Sequence, residues 1–320
     1  MLNIGLVGAG AAATLGHIPA IGRLQDRGVA RLASVCDIDP SRLSAFSPET
    51  KVFQDVKEMI KLSRLDLLVI STPPASHADI LSEANDAQVD VLCEKPVVLT
   101  GAGLSSIDFL RDPACGTALI TVLQYRFSRV WIGLERILRS AVASGYDFSI
   151  DVEIRRLSTD PRAFSAWRLA VDSGGILADH AVHYLALAHT LGEDLAPVWS
   201  RRSRRWPEAV EALISIGERG SLHMRAAYGE PTRSTTLRVS VPRISLSRVW
   251  RNSNLFASNG GSARQRTSVP SLSDRNYVNG LYLHLYQELV QGLSSPSWRA
   301  AANKRSHDVA SVLVGMLAQM

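Results

Sequence analysis

The strongest constraint on this chain lies at its start. A short, mostly apolar run, Leu2 to Val7, leads directly into Gly8-Ala9-Gly10-Ala11-Ala12-Ala13, and a helical pattern then continues to Gln25. A strand, a glycine-spaced turn and a helix in that order leave few folds open. The first glycine permits a tight turn, the second lets the main chain approach a diphosphate, and a small third residue keeps helix and strand close. The unbonded N–H groups at the helix start then face the phosphates. A second predicted strand, Ala30 to Cys36, ends at Asp37, 27 residues after Gly10. A carboxylate there accepts hydrogen bonds from the adenosine ribose and repels a 2′-phosphate. That favours NAD. Arg42 is close in sequence and keeps NADP as the alternative. Gly8, Gly10, Ala11, Ala12, Ala13 and Asp37 are therefore expected to contact a dinucleotide.

The pattern after Asp37 supports a Rossmann domain. Helical stretches at Asp55 to Leu62, Ala75 to Ala87 and Leu104 to Leu110 alternate with apolar strands at Asp66 to Ile70, Val89 to Cys93 and Ala118 to Leu123. Such alternation means crossover connections and a parallel sheet. Beyond about Gln124 the order changes. A helix at Arg129 to Ala143 precedes a long strand, Phe148 to Arg156, and a helix at Ile176 to Leu191 is stopped by Gly192. Strand patterns then follow one another: Ala209 to Ile216, Ser221 to Tyr228, Thr235 to Val241 and Ile244 to Trp250. Tight turns such as Gly217 to Gly220 imply antiparallel pairing. Asn252 to Ser273 reads as a loop or mobile hairpin, and two helices, Asp274 to Leu293 and Ala300 to Leu317, end the chain. The expected architecture is α/β. An N-terminal Rossmann domain, residues 1–123, is followed by an α/β domain with an open, mainly antiparallel sheet, residues 124–299.

Composition narrows the function classes. The 320 residues suit about two domains. With 46% hydrophobic and 20% charged residues, the chain reads as an ordinary globular protein. No long apolar run predicts a membrane span, and no basic leader precedes the first strand, so a cytoplasmic location is expected. Three dispersed cysteines, Cys36, Cys93 and Cys115, fit neither a disulfide framework nor a zinc cluster. His180, His183 and His189 lack the spacing of a zinc-protease signature, and no metal is expected. The formal charge is +5, with a cluster at Arg201, Arg202, Arg204 and Arg205. No nucleic-acid motif accompanies it. It reads as a solvated face or as the edge of a pocket for an anionic substrate.

Three further segments occur in order: Ser71-Thr72-Pro73-Pro74-Ala75-Ser76-His77, then Glu94-Lys95-Pro96, then Gly174-Gly175-Ile176-Leu177-Ala178-Asp179 with His183. Together with Gln124-Tyr125-Arg126-Phe127 and Trp167-Arg168, this set resembles the Gfo/Idh/MocA family, named for glucose–fructose oxidoreductase and inositol dehydrogenase. The resemblance spans nearly the whole chain. It implies pyridine-nucleotide oxidoreduction of a sugar, cyclitol or related carbinol, a second-domain sheet whose face serves a homo-oligomer, a dimer or tetramer, and a final helix, within 300–320, that packs back on the first domain. It adds Ser71, Thr72, Pro73, His77, Glu94, Lys95, Gln124, Trp167 and Arg168 to the cofactor contacts. Lys95, Arg126, Asp179 and His183 become the expected substrate contacts.

The chemistry of these residue types agrees. Moving a hydride from a carbinol requires a partner for the hydroxyl proton. Asp179 and His183 stand four apart on a predicted helix and share a face, and an imidazole exchanges protons near neutrality. Lys95, at a strand's carboxyl end, is placed to polarise a carbonyl. Lys95, Asp179 and His183 are thus the expected catalytic residues. Ser173, Ala181 and Ala186 depart from the family's usual residues, and His180 beside Asp179 is less usual. These changes draw the substrate away from a plain sugar or inositol, toward an anionic or nucleotide-linked molecule. Three alternatives stay open: glycoside hydrolysis through transient oxidation by NAD, imine reduction, and a non-enzymatic cofactor-binding sensor.

Overall fold

In a computed structural model, residues 1–112, 114–156, 174–203, 208–230, 233–251, 254–259, 265–268 and 275–320 are described. The chain divides into two units, residues 1–124 with 275–310, and residues 125–274 with 311–320.

The first unit is built on a six-stranded sheet in which every pairing is parallel. Its strands are β1 (Leu2–Val7), β2 (Ala30–Cys36), β3 (Lys51–Phe53), β4 (Leu67–Ile70), β5 (Asp90–Cys93) and β6 (Leu119–Thr121). The spatial order is β3-β2-β1-β4-β5-β6, so the direction of winding reverses between β1 and β4. Doubly wound sheets bind ligands outside the carboxyl ends of the strands at that reversal. β4 is buried along its whole length, as an apolar strand covered on both faces should be. Helices α1 (Ile18–Gln25), α2 (Pro40–Leu43), α3 (Val56–Leu62), α4 (His77–Asp86) and α5 (Gly101–Ser105) lie in the connections. Asp55 and Thr100 cap α3 and α5 by accepting main-chain amides.

Three details differ from the sequence expectation. β3 and α2 are only three and four residues long and carry too few apolar residues to show a periodicity. The helix after the glycine turn opens with a π-turn at Ala13–His17, which admits one residue more than a regular turn. The helical stretch expected at 104–110 is split into α5 and a 3₁₀ turn at Asp108–Arg111.

The second unit holds an open eight-stranded sheet ordered β14-β13-β12-β11-β7-β10-β9-β8. Its strands are β7 (Phe148–Arg155), β8 (Leu195–Arg202), β9 (Ala209–Ile216), β10 (Gly220–Ala227), β11 (Ser234–Val241), β12 (Leu246–Arg251), β13 (Asn254–Asn259) and β14 (Gln265–Ser268). All pairings are antiparallel except β7 with β10. The sheet is therefore mixed, though mainly antiparallel. Along β7, Phe148, Ile150, Val152 and Ile154 are buried, while the alternate residues are more accessible. Helices α6 (Arg129–Ala143) and α7 (Gly175–His189) belong to this unit. α7 is buried around most of its circumference. β8 went unseen in the sequence because Pro197 and a register shift at Pro197/Trp199 interrupt its alternation. Within the segment expected as a loop or mobile hairpin at 252–273, β13 and β14 pair antiparallel.

Two helices complete the chain, α8 (Arg275–Gly292) and α9 (Pro296–Leu317). In the first unit, α9 serves the outer edge of β6. Asn303 Oδ1 accepts the Leu119 amide at 2.7 Å, and its Nδ2 donates to the Thr117 carbonyl at 3.1 Å. Ser306 Oγ accepts the Thr121 amide at 3.2 Å and donates to the Leu119 carbonyl at 2.9 Å. Two side chains thus satisfy groups that an uncovered sheet edge would leave to water or to another strand.

Candidate functional site

At the winding reversal, the ends of β1, β2 and β4 meet. Gly8 donates to the Cys36 carbonyl at 2.8 Å, and Ser71 donates to the Val7 carbonyl at 2.7 Å. Gly8 has φ +88°. A Cβ there would lie 2.7 Å from the Ser71 carbonyl oxygen, so only glycine fits this turn. Asp37 is buried. Its Oδ2 accepts the Ala9 amide at 2.7 Å and its Oδ1 the Asp39 amide at 2.9 Å. Arg42 Nη1 lies 3.4 Å from the same Oδ2. The β2 carboxylate is therefore aimed at the glycine turn, with a half-exposed guanidinium beside it. Gly10 is open enough that a Cβ would meet nothing closer than Arg42 at 3.8 Å. Ala11 is exposed, Ala12 half-buried and Ala13 fully buried.

The residues present fit a dinucleotide. The turn brings main chain to the surface where a side chain would block it. The carboxyl ends of β4 and β6 also carry two buried polar atoms, Ser71 Oγ and Gln124 Oε1, without hydrogen-bond partners among the described residues. Both suit a ligand offering hydroxyl and amide groups. Thr72 and Pro73 continue the loop after Ser71, and the Thr72 hydroxyl accepts from Ser76 Oγ at 2.8 Å. His77 is fully buried. Its Nε2 faces the Thr72 carbonyl at 2.9 Å, and its Nδ1 faces the carbonyls of Pro96 at 3.0 Å and Val97 at 3.2 Å. Burial pushes the His77 pKa down, against the pull of those carbonyls. The ring ties the loop after β4 to the loop after β5.

Glu94 and Lys95 follow β5. The Glu94 side chain is buried and turned toward protein groups: His17, Tyr282 and the Lys95 amide. Burial alone would raise its pKa, but His17, Lys95 and Tyr282 outweigh that and bring it down to about 2. The sequence motifs include neither His17 nor the two tyrosines of α8. The only sequence signal was a histidine on the apolar side of the first helix.

In the second unit, α7 presents Asp179 and His183 one turn apart. Gly174 and Gly175 begin the helix at φ +70° and +55°. A Cβ on Gly175 would collide with the Glu208 carboxylate, which accepts the Ile176 amide at 3.3 Å and pairs with Arg202 at 2.9 Å. The glycine pair thus seats the start of α7 on the ion pair of buried Glu208 and half-buried Arg202. His183 is buried, and Tyr125 stacks on it with ring centroids 4.1 Å apart. Trp131 and Tyr184 extend the aromatic patch. Asp179 Oδ2 lies 3.5 Å from His180 Nε2, which accepts from Arg156 Nε at 3.2 Å. Arg156, not singled out in the sequence, also donates to the Ser234 carbonyl and Thr235 Oγ1, both at 3.2 Å. The Arg126 guanidinium lies 4.6 Å over the Phe127 ring. Trp167 and Arg168 lie outside the described residues, as do Arg204 and Arg205. Of the remaining cluster, Arg201 pairs with Glu211 and Arg202 with Glu208.

Comparison with known proteins supplies the context. Residues 2–108 match the Gfo/Idh/MocA model, described as an oxidoreductase family with an NAD-binding Rossmann fold. The chain is similar to inositol 2-dehydrogenase 2 of Paenarthrobacter aurescens, with 29% identity over 44% of this chain and 48% of that protein. The chain thus spans about half the length of that relative. Among solved structures, it resembles a dehydrogenase from Chromobacterium violaceum, with a TM-score of 0.80 and 21% identity, covering 99% of this chain and 94% of that one. It also resembles levoglucosan dehydrogenase in complex with NADH, with a TM-score of 0.78 and 16% identity, covering 99% and 96%. These two likenesses show the fold. Over residues 2–108 the chain is thus similar to the Gfo/Idh/MocA oxidoreductases, and its first unit has the Rossmann-type parallel sheet that the family description names.

Proposed function

We propose that this protein is an NAD-dependent dehydrogenase or reductase that interconverts a hydroxyl and a keto group on a sugar or cyclitol. The observation that carries this reading is the glycine turn after β1, with Gly8 against Ser71 and the Asp37 carboxylate on the Ala9 amide, in a domain of an NAD-binding family. Gly8 and Gly10 leave room for the diphosphate, Asp37 takes the adenosine ribose, and Ser71 and Gln124 offer polar atoms along the strand ends. Bound nicotinamide dinucleotide supplies the hydride acceptor or donor. The chain's own residues manage the proton and the substrate oxygen. Lys95 polarises that oxygen, His183 exchanges the hydroxyl proton, and Asp179 orients the substrate and supports a charged His183. Similarity to an inositol dehydrogenase and to levoglucosan dehydrogenase supports a polyhydroxylated substrate. The paired state of Arg201 and Arg202 adds no support for an anionic one. The outward face of the eight-stranded sheet is the surface proposed for a homo-oligomer.

The test is turnover of NAD and NADP against a panel of sugars and cyclitols, followed by the absorbance of the reduced nicotinamide. Lys95→Met and His183→Asn should each lower turnover by roughly 10²–10⁴-fold with cofactor affinity largely kept. Near-normal rates in both variants would overturn the assigned roles.

A further inference from the structure

Glu94 immediately precedes Lys95, and its buried carboxylate is held from three sides. Oε1 accepts the Tyr282 hydroxyl at 2.8 Å and faces His17 Nε2 at 3.2 Å. Oε2 accepts the Lys95 main-chain amide at 3.2 Å. Behind this layer, the Tyr286 hydroxyl lies 2.9 Å from His17 Nδ1. The His17 ring stands edge-on to both tyrosines, with centroids 5.1 and 5.9 Å away. Tyr282 and Tyr286 are one turn apart on α8 and share a face. The Tyr282 ring lies so close to Gly16 that a Cβ there would come within 2.6 Å of it. The π-turn at Ala13–His17 ends on His17. Extra-residue turns of this kind concentrate at functional sites.

Hydrogen-bond counting gives the cluster a direction. Among the described residues, the Tyr286 hydroxyl has His17 as its one partner. A His17 protonated on both nitrogens would leave the hydroxyl proton of Tyr286 without an acceptor in a fully buried site. The arrangement that satisfies every atom has Tyr286 donating to Nδ1, His17 Nε2–H donating to Glu94, and Tyr282 donating to Glu94. Donors thus converge on a carboxylate whose remaining oxygen holds the Lys95 main chain. The adjacent Lys95 charge is among the causes that lower the Glu94 pKa, and by the same interaction the carboxylate favours the charged form of Lys95.

We propose that His17, Tyr282 and Tyr286 are positioning residues that act through Glu94, fixing the Lys95 main chain and keeping the Lys95 side chain as an ammonium. The inference rests on the reading that places Lys95 at the substrate oxygen. It divides the labour within that reading. Lys95 serves as cation and hydrogen-bond donor, and proton exchange near neutrality falls to His183.

The test is pulse labelling of amines with acetic anhydride across an alkaline pH series. It uses the full chain without cofactor, and mass spectrometry reads each lysine. Only the unprotonated amine reacts. Glu94→Gln should move the Lys95 labelling midpoint to lower pH by about one unit. Tyr282→Phe, which keeps the ring and removes one donor, should move it the same way by less, as should His17→Gln. Lys57 and Lys304, both well exposed, should keep their midpoints. An unchanged Lys95 midpoint in Glu94→Gln and Tyr282→Phe would overturn the proposal. So would a shift shared by Lys57 and Lys304, which would mark general loosening. Since no turnover is measured, this result stands apart from the fate of Lys95→Met in the activity assay.

Discussion

The Asp37 carboxylate accepts the Ala9 amide at 2.7 Å, and this bond joins the end of β2 to the turn after β1. The same side chain proposed to meet the ribose therefore shapes the turn proposed to receive the diphosphate. Asp37→Ala should remove both effects. NAD affinity should fall about 10–100-fold, the worth of a hydrogen bond to a charged group. NADP should lose less, because repulsion of its 2′-phosphate goes too. Calorimetric titration of both cofactors checks this.

Gly8 tests the backbone requirement separately. Its φ of +88° and the Ser71 carbonyl 2.7 Å from a built Cβ make Gly8→Ala a strained substitution. Unfolding free energy should drop by about 1–3 kcal/mol, measured by urea denaturation, and NAD affinity should fall with it. Gly10→Ala meets nothing closer than 3.8 Å and should leave stability nearly unchanged while weakening cofactor binding.

Glu94 predicts an acid dependence. Its pKa falls from the ordinary 4.5 to about 2 on folding. The unfolded chain therefore takes up the proton first as pH drops. The stabilisation is complete above about pH 4.5 and is lost as pH falls toward 2. The stability gap between the wild type and Glu94→Gln should be widest above pH 4.5 and shrink toward pH 2. Denaturation midpoints across that range check it.

Asn303 tests the covering of β6. Asn303→Ala removes the acceptor for the Leu119 amide and the donor for the Thr117 carbonyl, both in a buried setting. The cost should be about 1–3 kcal/mol in urea denaturation. Asn303→Asp, which keeps the acceptor but not the donor, should recover part of it.

Much of this protein is written locally. Leu2 to Ala13 and Asp37 specify a strand, a turn only glycine can make and a carboxylate at the next strand end. Each depends on main-chain geometry and a short run of neighbours, so each is legible without the fold. The same holds for the Asp179/His183 spacing on α7, which follows from helix geometry alone, whereas the glycine pair before it answers to the distant Glu208 carboxylate. Other features arise only when distant segments meet. His77 looked like a ligand contact, yet its ring is enclosed by the carbonyls of Thr72, Pro96 and Val97. Asn303 and Ser306 read as ordinary helix residues until β6 lies beside them. Glu94 meets His17 across 77 positions and Tyr282 across 188. The energy of a buried hydrogen bond depends on which partner replaces water, and tertiary packing alone decides that partner. Local sequence suffices for the glycine turn after β1 and for the helix that sets Asp179 and His183 one turn apart. The tertiary structure decided which groups surround Glu94, and thus what stands behind Lys95.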